Sequence, residues 1–168
     1  MQCYLDSSAL LKRVVPEAET SDLEAFLKLI AEQGVRFLTS ALSQVEVARS
    51  LRRAASDGRV EAENFQEDFA TVFRDVNIVE LTEAILYEAR GIDGDKLRSL
   101  DAIHLAAAHL AGADMVVTYD DRMFQACLEG EVMTARPGAQ KVPLPPGWEW
   151  VTGDDPADVP DELWEKDW

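Results

Sequence analysis

Hydrophobic positions in the first 135 residues follow two spacings that alternate along the chain. Short apolar runs at 2–5, 35–39, 77–80 and 115–118 have the length and continuity of strands, and the stretches between them carry the three-to-four spacing of amphipathic helices. Start and stop signals agree with this division. Ser21 precedes an amphipathic run to Ala31 that halts at Gly34, and Thr82 opens another that halts at Gly91. The predicted order is β-α-α-β-α-α-β-α-α-β-α.

Strands separated by helices imply a parallel sheet. Right-handed crossovers place helices on both of its faces, so the expected fold is α/β, a three-layer α/β/α sandwich with its loops gathered at the carboxyl ends of the strands. Function is expected at that edge.

Composition divides the chain once. Six of the seven prolines and all four tryptophans lie at or beyond Pro137, so residues 1–135 read as one domain and 136–168 as an acidic, Pro- and Trp-rich extension. Within that extension, 141–150 reads as extended chain, Asp158 as the cap of a short helix to Trp164, and the alternating Trp148 and Trp150 as anchors on the body. The whole chain of 168 residues holds 16 Lys and Arg against 32 Asp and Glu, a net charge of −16. A basic surface that binds duplex nucleic acid non-specifically is thereby excluded, and any nucleic acid must be held locally.

Two cysteines, Cys3 and Cys127, without metal-type spacing point to a reduced, cytoplasmic setting. No basic leader followed by an apolar core and no run of 18 apolar residues occurs, so neither export nor a membrane span is expected.

Four carboxylates fall at the expected functional edge. Asp6 ends the first strand, Glu46 lies one to two turns into the helix after the second, Asp101 opens an apolar helix behind Ser99, and Asp120 closes the fourth strand, with Asp121 the alternative next to it. Clustered carboxylates raise one another's pKa and call for protons or a hard cation. Oxygen ligands suit Mg²⁺ or Mn²⁺ rather than zinc. A cation so held orients water and neutralises a phosphodiester, which implies phosphodiester hydrolysis.

The segments YLDSSALLKRVVPE, TSALSQVEVARSLRR, LRSLDAIHLAAAHLAGAD and VVTYDDRMF, in this order and spacing over residues 1 to about 130, resemble the PIN-domain ribonucleases, most closely the VapC-type toxins. The resemblance implies that Asp6, Glu46, Asp101 and Asp120 form the family's acidic quartet around Mg²⁺ or Mn²⁺, with Thr118 beside it. It further implies an Mg²⁺/Mn²⁺-dependent endoribonuclease with a metal-activated water as nucleophile. As the toxin of a type II toxin–antitoxin pair, it would cut RNA, commonly structured RNA such as tRNA, and be silenced by a cognate antitoxin. A homodimer is the expected assembly. The competing function is a catalytically silent PIN-like module that binds RNA or an antitoxin peptide.

Each acid also has a plainer reading. Glu46 closes a capping box with Ser43, Asp101 complements a helix dipole, and Asp120 caps the next helix. Asp6 resists such a reading, because a carboxylate ending a central apolar strand is costly to bury unpaired. His104 and His109, five apart, miss the spacing of a helical metal pair and read as ordinary histidines. Ser7, Ser8 and Thr118 are weaker candidates for substrate contact. Lys12, Arg13, Arg49, Arg52, Arg53, Arg98 and Arg122 are the cations nearest the acids. Arg49 and Arg53 head the phosphate-contact candidates, in a cluster whose face equally suits an acidic antitoxin segment.

Overall fold

A computed structural model describes residues 1–92, 97–130 and 132–139. Its first strand, β1 (Gln2–Leu5), is buried on both faces, as befits the middle of a parallel sheet. Alternate side chains of β1 enter different cores. Cys3 and Leu5 join one apolar cluster and Tyr4 the other.

Between β1 and β2 (Arg36–Ser40) run α1 (Ser7–Leu11) and α2 (Thr20–Glu32). The chain then passes through α3 (Leu42–Ser56), a 3₁₀ turn at Ala62–Asn64 and α4 (Phe65–Val72) into β3 (Val76–Val79). Leu10, Leu23, Ile30, Val47, Leu51 and Val72 from these four helices pack with Cys3 and Leu5 on the first face. The second face is covered by α5 (Glu83–Ala89), α6 (Ser99–Leu110) and α7 (Asp121–Glu129), with β4 (Met115–Val117) before α7. Ile85, Leu105, Ala106, Met123 and Cys127 meet Tyr4, Leu38 and Val116 there. Each fully buried Leu of these layers contributes about 1.5–3 kcal/mol.

The strands are all parallel in the order β3-β2-β1-β4-β5, the last being β5 (Thr134–Ala135). The expected sandwich is thus the observed one. A two-residue edge strand carries no periodicity to read, so the pattern predicts four strands where the sheet has five. The other boundaries moved by one residue at most for the strands. Gly34, at φ +79, follows α2 and turns the chain back into the sheet, a conformation that costs a side chain with Cβ. Chain leaving β1 turns to one side of the sheet and chain leaving β4 to the other, so the carboxyl ends of β1 and β4 flank a topological switch point, where open α/β sheets bind ligands. Among the described residues no helix is long and apolar enough to cross a membrane. The extension beyond Ala139, with its expected strand, helix and tryptophan anchors, lies outside the described residues.

Candidate metal centre

Asp6 stands at the head of the switch point, 6% exposed, with its N–H tied to the Val117 carbonyl at 3.0 Å. Three donors converge on Oδ2: the Ser8 hydroxyl at 2.7 Å, the Ser8 N–H at 3.3 Å and the Thr118 hydroxyl at 3.0 Å. Oδ1 faces His104 Nε2 at 3.9 Å. Thr118 in turn accepts from the Asp120 N–H at 3.1 Å, so one buried hydroxyl couples the ends of β1 and β4.

Glu46 reaches the same place from the first turns of α3. Its Oε2 accepts from the Ser7 hydroxyl and lies 2.7 Å from His104 Nε2. The capping box with Ser43 is not formed, because Ser43 Oγ bonds Thr39 Oγ1 at 2.6 Å and α3 begins at Leu42 rather than at Ser40 or Ser43. Burial works against the charged form of Glu46, yet the hydrogen bonds from His104 and Ser7 outweigh it and hold the carboxyl below its ordinary value. Burial likewise opposes a charge on His104. The bond to Glu46 and the charges of Asp6, Glu46 and Asp101 prevail and raise its pKa.

Asp101 and Asp120 form a more open rim. Asp101 Oδ2 accepts from the Arg98 N–H at 3.1 Å, so the helix starts behind Arg98, one residue before the expected Ser99 cap, and Asp101 sits at its third position. Burial, followed by the charges of Asp120 and Asp6 against that hydrogen bond, pushes the Asp101 carboxyl above its ordinary value. Asp120 caps α7, its Oδ1 taking the N–H groups of Arg122 at 2.8 Å and Met123 at 3.0 Å. Asp121 turns away to Arg136 at 2.7 Å and is 92% exposed, which leaves Asp120 as the fourth acid facing the group.

Ligand-type atoms of Asp6, Glu46 and His104 lie within 4.8 Å of one another. Sequence reasoning missed His104. It is not an ordinary core histidine but 1% exposed at the centre of the site, and the signal was its position three residues after Asp101, on the same helix face. Among the described residues, no Lys or Arg forms an ion pair with Asp6, Glu46, Asp101 or Asp120. Clustered carboxylates that no Lys or Arg neutralises, one of them buried, fit a hard divalent ion.

Several candidate phosphate contacts have other duties. Lys12 is ion-paired with Glu17 and, at 2.8 Å, with Glu19, and lies 4.5 Å from the Tyr119 ring centroid, so it is buried rather than offered to a ligand. Arg13 donates to the carbonyls of Val72 at 2.6 Å and Arg74 at 3.2 Å. Ser7 is buried and turned to Glu46. Arg49 and Arg53 are exposed and follow Glu46 by three and seven residues, which sets them on its side of α3 and up to about 10 Å along the axis from it.

Comparisons with known proteins show the family and the fold. The family model described as PIN domain matches residues 3–127. Ribonuclease VapC47 of Mycobacterium tuberculosis (strain CDC 1551 / Oshkosh) is 38% identical over 138 residues, covering 81% of this chain and 97% of that protein. Among solved structures, VapBC2 from Rickettsia felis, bound to a DNA fragment from its promoter, aligns with a TM-score of 0.60 at 12% identity over 75% of this chain and 93% of that one. The Mycobacterium tuberculosis VapC20 structure, described as a sarcin-ricin loop cleaving toxin, aligns with a TM-score of 0.57 at 17% identity over 74% and 94%. These two likenesses establish the fold.

Proposed function

The chain belongs to the PIN-domain family, and from that premise we propose that it is a divalent-metal-dependent endoribonuclease, the toxin of a type II toxin–antitoxin pair. The observation that carries this reading is the buried Asp6 carboxylate, with all its hydroxyl and amide donors on one oxygen, opposite Glu46 and with no Lys or Arg paired to either. Asp6, Glu46, Asp101 and Asp120 would hold Mg²⁺ or Mn²⁺. When bound there, such an ion supplies water activation and charge neutralisation at a phosphodiester.

The chain's own residues do the rest. Thr118 and Ser8 fix Asp6, and Thr118 also holds the backbone that presents Asp120. Ser7 and Ser8 donate to Glu46 and Asp6 and so orient these carboxylates; the nucleophile assigned here is water, with no covalent intermediate on the protein. Arg49 and Arg53 are placed to follow an RNA backbone away from Glu46 while the acidic body repels non-specific duplex. The substrate class proposed is structured RNA such as tRNA.

The protein would work in the cytoplasm as a homodimer under the control of a cognate antitoxin. Mycobacterium tuberculosis VapC20, similar in fold, is described as a toxin, and both Cys3 and Cys127 are buried free thiols, consistent with a reducing compartment. Residues 1–135 are assigned as the nuclease domain and 136–168 as an extension to it.

Incubating the purified full chain with total cellular RNA and Mn²⁺ tests the proposal. Cleavage at defined positions that stops on chelation and is lost in Asp6→Asn is expected. Cleavage indifferent to chelator would refute the metal centre, and RNA retention without cleavage at any metal concentration would favour the silent binding module.

A further inference from the structure

The histidine in the middle of the acidic group needs a role of its own, and the metal-centre reading is the frame in which it acquires one. The geometry points to His104 as a positioning residue: anchored by Tyr4, it donates from Nε2 to Glu46, sets the orientation of that carboxylate, and is not itself a ligand of the cation.

The hydrogen bonds give the direction of donation. His104 Nε2 is 2.7 Å from Glu46 Oε2, and an ionised carboxylate only accepts, so the hydrogen lies on Nε2. The same assignment follows whether the ring is neutral or protonated. A ring nitrogen that carries hydrogen has no lone pair to give a metal. The trio Asp6, Glu46 and His104 therefore has the spacing of a ligand set while only its two acids have free lone pairs.

The other ring nitrogen shows what holds the imidazole still. Nδ1 lies 2.7 Å from the Tyr4 hydroxyl and 3.3 Å from the Ser40 hydroxyl. The Tyr4 hydroxyl also accepts the Ser40 backbone N–H at 3.1 Å, so the relay is fastened to the sheet. Tyr4 and His104 are buried, and their rings meet edge to face with centroids 6.0 Å apart. The relay therefore runs from β2 through β1 and α6 to α3. At its end the donors from His104 and Ser7 both fall on Glu46 Oε2, which leaves Oε1 for a cation. Outer-shell bonds of this kind fix the angle of a ligand and raise the affinity of the site.

Mn²⁺ itself is the probe, added to the full chain and followed by calorimetry and by electron spin-echo spectroscopy. His104→Leu keeps bulk without a donor, His104→Gln restores an amide N–H near Nε2, and Tyr4→Phe deletes only the anchoring hydroxyl. The expected result is a loss of Mn²⁺ affinity of about tenfold or more in His104→Leu, most of it recovered in His104→Gln, with an intermediate loss in Tyr4→Phe. The wild-type spectrum should show no coupling from a directly bound nitrogen, and isotopic labelling of histidine should leave it unchanged. A nitrogen coupling that responds to the label would make His104 a ligand and overturn the inference, as would wild-type affinity in folded His104→Leu. Should His104→Leu fail to fold, the spectrum and Tyr4→Phe decide the matter. Wild-type protein that takes up no Mn²⁺ would sink the metal centre as well, whereas equal uptake by wild type and His104→Leu sinks this inference alone.

Discussion

The two halves of the acidic site are built differently. Asp6 and Glu46 sit in a mesh of side-chain hydrogen bonds from Ser7, Ser8, Thr118 and His104, two of which, Thr118 and His104, are almost wholly buried. Asp101 and Asp120 are half-buried, as Glu46 is, and each accepts from backbone N–H groups at the start of a helix. A cap explains much of the rim pair without any ligand. Asp6 also caps α1 through the Ser8 N–H, but capping does not account for its bond from the buried Thr118 hydroxyl or for the meeting of Glu46 with Ser7 and His104, groups whose burial carries a desolvation cost. The function therefore rests on the Asp6–Glu46 half, and the rim contributes charge.

This contrast is broken most forcefully by Asp6→Asn. Loss of RNA cleavage beyond the roughly 100-fold that outer-shell partners carry is expected, with initial rates on a tRNA substrate as the measurement. A mild loss there would put the two halves on the same footing. Next in size is the effect of the cation on the fold. Mn²⁺ at about 100 times its dissociation constant should stabilise the wild type by about 2.7 kcal/mol in urea unfolding, and Asp6→Asn should gain little.

The rim should respond through its caps. Asp120→Ala is expected to cost about 1 kcal/mol in the metal-free protein, while Asp120→Asn, which preserves the cap, should change stability by only a few tenths. Equal costs for the two would mean that charge rather than capping governs that corner. The smallest effect is expected at Asp101. Its carboxyl is raised above its ordinary value, so its charged form is disfavoured in the fold and the cost appears as pH rises through that raised value. Asp101→Asn should then increase metal-free stability at neutral pH, and the gain should vanish below about pH 4, where the acid is protonated folded or unfolded. A gain that persists in acid would point to packing instead of charge.

The layered fold was legible because its signals are local. Strands of three to five residues, β5 apart, alternate with amphipathic helices, and Thr82 and Gly34 mark ends where their own backbone chemistry acts. The four acids were legible because a parallel sheet brings the carboxyl ends of its strands to one edge. The relay was not, since Tyr4, Ser40 and His104 are brought together only by packing across sequence separations of 36 to 100 residues. His104 looked like one of two histidines at an uninformative spacing, although its register with Asp101 was in plain view. Lys12 misled in the opposite sense. A lysine in a predicted helix reads as solvated, and its burial against Tyr119 with two glutamates depends on how α1 meets α2 and β4.

The central claim is that the acids at the switch point bind a divalent cation. Calorimetric titration of the wild-type chain with Mn²⁺, beside Asp6→Asn, tests it without requiring the RNA target to be known. Saturable binding in the wild type that disappears in Asp6→Asn is the predicted result, and no binding in the wild type, or equal binding in both, would contradict it.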